Sequence, residues 1–203
     1  MKLKNYANKY TVERSRNIKK NWKYKIILDK IKKNSKVLDV GLGSGVLMQM
    51  LKGKCDYYAV DYNEHIVDYW KKKNVNVKRC DVAKETLPFK DNFFDIVWCS
   101  HIVEHIHSEE QIRFFKELYR ILKKGGFLIV FSPTPFNWYF WDDLTHTRPC
   151  THKQLEDLAL NAGFSSADSK YSLFRAFPKR IQTYFRLPPF RFFIWEVYLI
   201  AKK

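Results

Sequence analysis

Val37-Leu38-Asp39-Val40-Gly41-Leu42-Gly43-Ser44-Gly45 decides how this chain of 203 residues is read. The apolar residues around Asp39 fit a short, fully buried parallel strand. Three alternating glycines follow, and Val46-Leu47-Met48-Gln49-Met50-Leu51 then resumes at helical spacing. Glycine lets the backbone turn tightly and leaves no Cβ to hold a ligand away from the peptide groups. The N–H groups opening the next helix face whatever lies in the turn. The stretch is expected to form a nucleotide-type cofactor cradle at the carboxyl end of a first strand.

Two acidic residues narrow the ligand. Asp61 ends the next apolar run, Tyr57-Tyr58-Ala59-Val60-Asp61, and so sits where a ribose diol would lie. Asp39 stands inside the first strand, where its charge would repel a dinucleotide pyrophosphate and favour a sulfonium and an ammonium. The third glycine follows the second by two residues, so the G-x-G-x-x-G spacing of dinucleotide sites is not met. S-adenosyl-L-methionine suits this cradle better than NAD.

The D-x-G-x-G-x-G stretch from Asp39 to Gly45 resembles motif I of the class I S-adenosylmethionine-dependent methyltransferases. Asp61 matches the acidic end of their second strand, and Asp81-Val82 the residues flanking adenine. Phe94 to Ile106, containing Glu104-His105-Ile106, is similar to the fourth strand and following segment of the type 11, quinone-methyltransferase-like branch. Leu122-Lys123-Lys124-Gly125-Gly126 resembles the turn before strand five, with Lys124 where proline is commoner. The resemblance runs from about residue 36 to 164. It implies that Asp39, Gly41, Leu42, Gly43 and Gly45 hold the methionine part and Asp61 the ribose. It further implies that Tyr62, Asp81 and Val82 hold the adenine and the Cys99 backbone the amino group, with S-adenosyl-L-homocysteine as product.

Composition sets the limits. The length suits one α/β domain, and 46% hydrophobic with 17% aromatic residues argues for a packed globule. The expected division is an N-terminal helical cap over 1–35, a cofactor-binding core over 36–131, and an acceptor-side loop, helix and final strands over 132–203. Cys55, Cys80, Cys99 and Cys150 show no C-x-x-C spacing and read as core thiols of a reducing, cytoplasmic compartment. The N-terminus has no apolar signal segment, and the Phe192–Ile200 run falls short of a membrane span. The net charge of +16 is uneven: residues 1–36 hold 13 Lys/Arg against 2 acids, and 170–203 hold 8 against 1. Basic ends of this kind fit an anionic membrane surface or, less well, nucleic acid.

Strands and helices alternate along the middle: strand 36–40, helix 45–52, strand 56–60, helix 64–73, strand 75–80, strand 94–99, helix 109–123 capped by Ser108 and stopped at Gly125, and strand 127–131. That order predicts a doubly wound, mostly parallel Rossmann-like sheet. A helix over 151–161, a strand over 168–174 and a final antiparallel strand over 193–201 complete it. Apolar Ile18, Trp22, Ile26, Ile27 and Ile31 predict one or two helices lying over the cofactor cleft, where Arg14 and Arg16 would be in reach of a carboxylate. The aromatic and basic segment Arg175–Phe193 reads as a cap over the acceptor pocket.

Methyl transfer is an in-line displacement at sulfur-activated carbon, so the protein must align the partners and take a proton if the acceptor is a hydroxyl. Histidine suits that task near neutral pH. His146, in Asp142-Asp143-Leu144-Thr145-His146, and His101, just past strand four, are the expected catalytic pair, with His105 and His152 behind them. His101-x-x-Glu104-His105 also fits an H-x-x-E-H zinc pattern, but no downstream helix offers a third ligand, so no metal is expected. The function expected is methyl transfer to a small-molecule, glycan or lipid-like acceptor, at oxygen. The rival readings are an RNA methyltransferase and a non-catalytic cofactor-binding protein.

Overall fold

The computed structural model describes residues 22–173 and 194–203. Helix α1 spans Trp22–Leu28, followed by β1 Lys36–Val40, α2 Val46–Leu51, β2 Asp56–Asp61, α3 Glu64–Lys71, β3 Val77–Arg79 and β4 Phe94–Ser100. A 3-10 turn at Val103–His105 leads into α4 Ser108–Ile121 and β5 Leu122–Pro133. A second 3-10 turn at Trp138–Phe140 precedes α5 His152–Ala162, β6 Ser166–Leu173 and β7 Ile194–Lys202. The strands form one sheet in the order β3-β2-β1-β4-β5-β7-β6. Neighbours from β3 to β5 pair in parallel, and β7 runs antiparallel to both β5 and β6. This is the mostly parallel sheet with an antiparallel C-terminal strand that the sequence predicts.

Successive side chains of a strand point to opposite faces, and both faces here are covered. On one, Leu38, Val40, Val97, Cys99, Leu128 and Val130 pack against Phe114, Phe115 and Leu118 of α4 and Leu155 and Ala159 of α5. On the other, Val37, Ile96, Trp98, Ile129 and Phe131 meet Ile27 of α1 and Leu47 and Leu51 of α2. The four cysteines are all unbridged. Among the described residues no helix is long and apolar enough to cross a membrane.

Several boundaries differ from the sequence reading. Ser108 is the first residue of α4 rather than its cap; His107 occupies the cap position without a side-chain bond. The helix ends at Ile121 because Leu122 is already extended and pairs with Phe94, so Gly125, at φ +80°, turns within β5 instead of stopping α4. Strand β3 keeps only Val77–Arg79, since the Val75 N–H bonds back to Trp70 of α3. The N-terminal helix, as far as described, packs Ile27 on a sheet face, and its Lys23 pairs with Glu196. Ile18, Arg14, Arg16 and Arg175–Phe193 lie outside the described residues.

Helix α5 carries its own start and stop signals. Thr151 accepts from the Gln154 N–H while the Gln154 side chain accepts from the Thr151 N–H, a reciprocal cap. Gly163 closes the helix at φ +106°, a conformation that costs glycine little. Replacing Thr151 by Ala should lower unfolding stability by about 1 kcal/mol, with Thr151→Ser restoring most of it. Denaturant titration of the two variants checks this.

Candidate active site

The parallel strands end together. Val40 pairs with Val60 on one side and Cys99 on the other, and Asp61 pairs with Arg79. Loops leaving β1, β2, β3 and β4 therefore share one edge. The strand order reverses there, with β2 and β3 on one side of β1 and β4 and β5 on the other. In open α/β sheets such a switch point opens the ligand crevice.

The glycine loop crosses this edge at positive φ, with Gly41 at +85°, Gly43 at +47° and Gly45 at +70°. A Cβ on Gly41 would strike the Ile102 side chain, and one on Gly45 would strike the Trp70 ring. At Gly43 the nearest atom is the Gly41 carbonyl oxygen, 3.9 Å away, so that peptide lies open. It is clamped from behind: Trp70 Nε1 donates to the Gly43 carbonyl at 3.0 Å, and the Gly43 N–H donates to Asp61 Oδ2 at 3.1 Å. Leu42 is buried with Trp70, Val67, Ala59 and Val77 as part of the core beneath the loop.

Both acids expected here are buried. Asp61 also accepts the Asn63 N–H on Oδ1 at 3.0 Å. Burial raises its pKa, and the N–H bonds from Asn63 and Gly43 partly offset that. Asp39 is reached by the Tyr57 hydroxyl at 2.5 Å. Burial pushes the Asp39 carboxyl up to about 7, against the Tyr57 bond and helped by the charge of Asp61. The carboxylate read from sequence as a fixed charge is thus poised to gain or lose a proton near neutrality.

Tyr62 stands exposed beside Asp61. Asp81, half-buried beyond β3, accepts the Ala83 N–H at 3.2 Å, and Val82 packs against the main core. Cys99 is wholly inside the sheet, and burial holds its thiol well above the ordinary range. All the expected cofactor residues therefore come to one sheet edge.

The expected catalytic histidines are placed differently from each other. His101 adopts φ +58° directly after β4, with its N–H on the Phe131 carbonyl at 2.9 Å. Its Nδ1 faces Glu104 Oε1 at 3.1 Å and its Nε2 faces Glu196 Oε1 at 2.7 Å, while Lys23 of α1 pairs with the same Glu196 oxygen. Desolvation would lower the His101 pKa, but the bonds to Glu104 and Glu196 outweigh it and raise the value to about 9. At neutral pH this ring is an imidazolium with both nitrogens occupied. His146, mostly buried, stacks on Phe140 and donates Nδ1–H to the Phe140 carbonyl at 2.7 Å. Its ring centroid lies 4.7 Å from that of His105. His152 packs against Tyr171 on α5, apart from this group.

Glu104 joins the two segments. It is fully buried, accepts the Ser132 hydroxyl at 3.2 Å, and its main-chain oxygen accepts the Thr147 N–H at 2.8 Å. Trp70, Tyr57, Lys23 and Glu196 escaped the sequence reading of the site. Glu196 alone left a trace, as the charge that interrupts the last apolar run; the others read as ordinary core or surface residues.

Residues 38–130 match the family model described as a methyltransferase domain. The chain is 30% identical over 139 residues to a Mycobacterium tuberculosis protein named a probable S-adenosylmethionine-dependent methyltransferase, covering 63% of this chain and 48% of that one. It is 32% identical over 137 residues to cycloartenol-C-24-methyltransferase 1 of Oryza sativa subsp. japonica, covering 63% of this chain and 37% of that protein. The chain thus spans about half the length, or less, of these curated relatives. A crystal structure of a SAM-dependent methyltransferase from Archaeoglobus fulgidus matches with a TM-score of 0.73 at 22% identity, covering 90% of this chain and 92% of that one. That likeness is one of fold.

The raised Asp39 pKa has a consequence for the unliganded protein. The folded form binds the Asp39 proton up to about pH 7 and the unfolded form only up to about 3.8, so stability falls as pH rises between those values. Asp39→Asn should remove that fall, stabilising the unliganded chain at pH 8 by a few kcal/mol (about 4 at most) and changing little at pH 4. Thermal or urea unfolding at the two pH values checks it; equal effects at both would contradict the shift.

Proposed function

We propose that the chain, whose residues 38–130 match the methyltransferase-domain model, is an S-adenosylmethionine-dependent methyltransferase that moves the cofactor methyl to a small-molecule or lipid-like acceptor, at oxygen. The observation that carries this reading is the pair of buried carboxylates, Asp39 and Asp61, close enough for the charge of one to act on the other, with Asp61 bonded to an open glycine peptide. Asp39 is partly protonated near neutral pH when nothing faces it. A sulfonium or ammonium beside it would restore its charge, and a pyrophosphate would not. Cofactor binding then expels a proton, and affinity falls as pH drops below about 7.

In this reading Asp39 and the Gly41–Gly45 loop, Leu42 beneath it, take the methionine end of the cofactor. Asp61 takes the ribose diol through the lone pairs left on its two oxygens. Tyr62, Asp81 and Val82 border the adenine, and the rim at Cys99 takes the amino group. The acceptor approaches from the segments after β4 and β5, and Ile102 packed on Gly41 makes those segments adjoin the cradle. His146 is the residue with a lone pair to offer, because its Nδ1 proton is committed to the Phe140 carbonyl. His101, held as a cation between two carboxylates, acts through charge and position instead of as a base.

The post-β5 loop supports a lipid-like acceptor. Trp138, Trp141 and Leu144 are 70%, 66% and 100% exposed there. Exposed apolar side chains clustered on one loop suit an apolar ligand or surface. The rice relative is named for cycloartenol, a lipid-like compound, and for a carbon position on it, C-24.

The test is an acceptor screen with methyl-labelled cofactor against lipid, quinone, glycan and RNA fractions. Label entering a lipid or small-molecule fraction is the expected result. Label in RNA, with binding that weakens steeply as salt rises, would replace this reading with the RNA one. Cofactor binding with no labelled product in any fraction would favour a non-catalytic protein. Asp61→Ala should weaken cofactor binding by about 1–3 kcal/mol in calorimetry, as loss of a charged hydrogen-bond partner does.

A further inference from the structure

His105 and His146 come from different segments, yet both hold their rings by the same atom. His146 donates Nδ1–H to the Phe140 carbonyl at 2.7 Å. His105 Nδ1 lies 3.2 Å from the Thr145 carbonyl and 3.0 Å from the Thr145 hydroxyl. That hydroxyl gives its own proton to Asp143 Oδ1 at 2.6 Å, so His105 Nδ1 is the donor in both contacts. Each neutral ring is thereby fixed with its proton on Nδ1 and its lone pair on Nε2. Histidines that bind metal ions are oriented in this way, the second ring nitrogen donating to a carbonyl or carboxylate.

The third group is Glu104. It is fully buried, and one ligand atom each of Glu104, His105 and His146 lies within 4.8 Å of the other two. Its oxygens are steadied by His101 Nδ1 and the Ser132 hydroxyl, and an oxygen bonded once can still accept elsewhere. Asp143 adds a further carboxylate at the margin, with Oδ2 3.9 Å from His146 Nε2. Two imidazoles and one buried carboxylate are the donors of open zinc sites, where three protein ligands leave a position free.

We propose that Glu104, His105 and His146 form a binding site for a divalent first-row cation, zinc by the donor set, on the acceptor side of the crevice. Zinc bonds of about 2.0–2.1 Å place tetrahedral ligand atoms about 3.3 Å apart. One ligand atom of each group already lies within 4.8 Å of the others, and side-chain rotation on a turn and a loop can bring the donors to the tetrahedral spacing. The sequence pattern H-x-x-E-H pairs His101 with His105, but the left-handed backbone at His101 aims its Nε2 at Glu196. The ligand that seemed lacking is supplied by the loop after β5, at His146. Binding of the ion does not depend on the methyltransferase reading; only its role does. In that role the free position takes the acceptor oxygen, and His146 Nε2 serves as ligand in place of base.

The test uses the whole chain purified without a metal-affinity tag, stripped with chelator, and titrated with zinc or cobalt alone. Elemental analysis should find zinc bound stoichiometrically, and cobalt should give the intensified visible band of a low-coordinate site. His105→Ala and His146→Ala should each weaken uptake by at least the roughly 10–100-fold that even supporting residues cost. His152→Ala, away from the cluster, should bind as the parent does, and circular dichroism checks that each variant is folded. No uptake by the parent chain, or undiminished uptake in folded His105→Ala and His146→Ala, overturns the proposal. If methyl transfer then proceeds without metal, only this inference fails. If zinc binds and no acceptor is methylated, the site stands and the functional reading fails.

Discussion

One peptide group, that of Gly43, is held from both ends: its N–H by Asp61 and its carbonyl by the indole of Trp70. Everything at the sheet edge depends on that clamp. A loop of three left-handed glycines has many conformations to lose, and without partners it would not keep one shape. Trp70 also fills the space where a side chain on Gly45 would lie, and Ile102 does so at Gly41. The glycines are therefore required for close approach as well as for backbone angle. The same contacts tie α3 and the segment after β4 to the cradle, which brings acceptor-side groups up to it.

Burial then gives the acids their character. Asp39 sits in the wall of a parallel sheet with the Tyr57 hydroxyl as its partner, a setting that raises its pKa to about 7. On the other side of the crevice the opposite balance holds. Glu104 and Glu196 share His101, Lys23 pairs with Glu196, and the attraction outweighs desolvation, keeping the imidazole protonated to about pH 9. Near neutral pH the Asp39 carboxyl is thus poised to lose its proton, while His101 is already a cation bonded to two carboxylates.

Much of this was legible in the chain. The apolar run into Gly41-Leu42-Gly43-Ser44-Gly45 and the acid ending the next run announced a mostly parallel sheet and the strand ends at which its crevice opens. Those features are local, and local spacing is what a sequence displays. The helix boundary at Leu122 was misplaced because pairing with Phe94 extends a residue that helical spacing favours. The parts that stayed hidden are contacts between distant elements: Trp70 on the glycine loop, Tyr57 on Asp39, Glu196 on His101. The roles of the histidines were hidden for the same reason. For His105, which ring nitrogen is spent on a carbonyl depends on a loop meeting a turn 40 residues away, and for His146 on an irregular loop folding back on itself at Phe140.

A buried carboxylate beside the glycine loop should prefer a sulfur-borne cation to a diphosphate. Calorimetric titration of the unliganded chain with S-adenosyl-L-methionine and, separately, NADH tests that preference most directly. S-adenosyl-L-methionine should bind with release of a proton, more tightly at pH 8 than at pH 6, and NADH should give no saturable heat. Saturable binding of NADH, with S-adenosyl-L-methionine excluded, would contradict it.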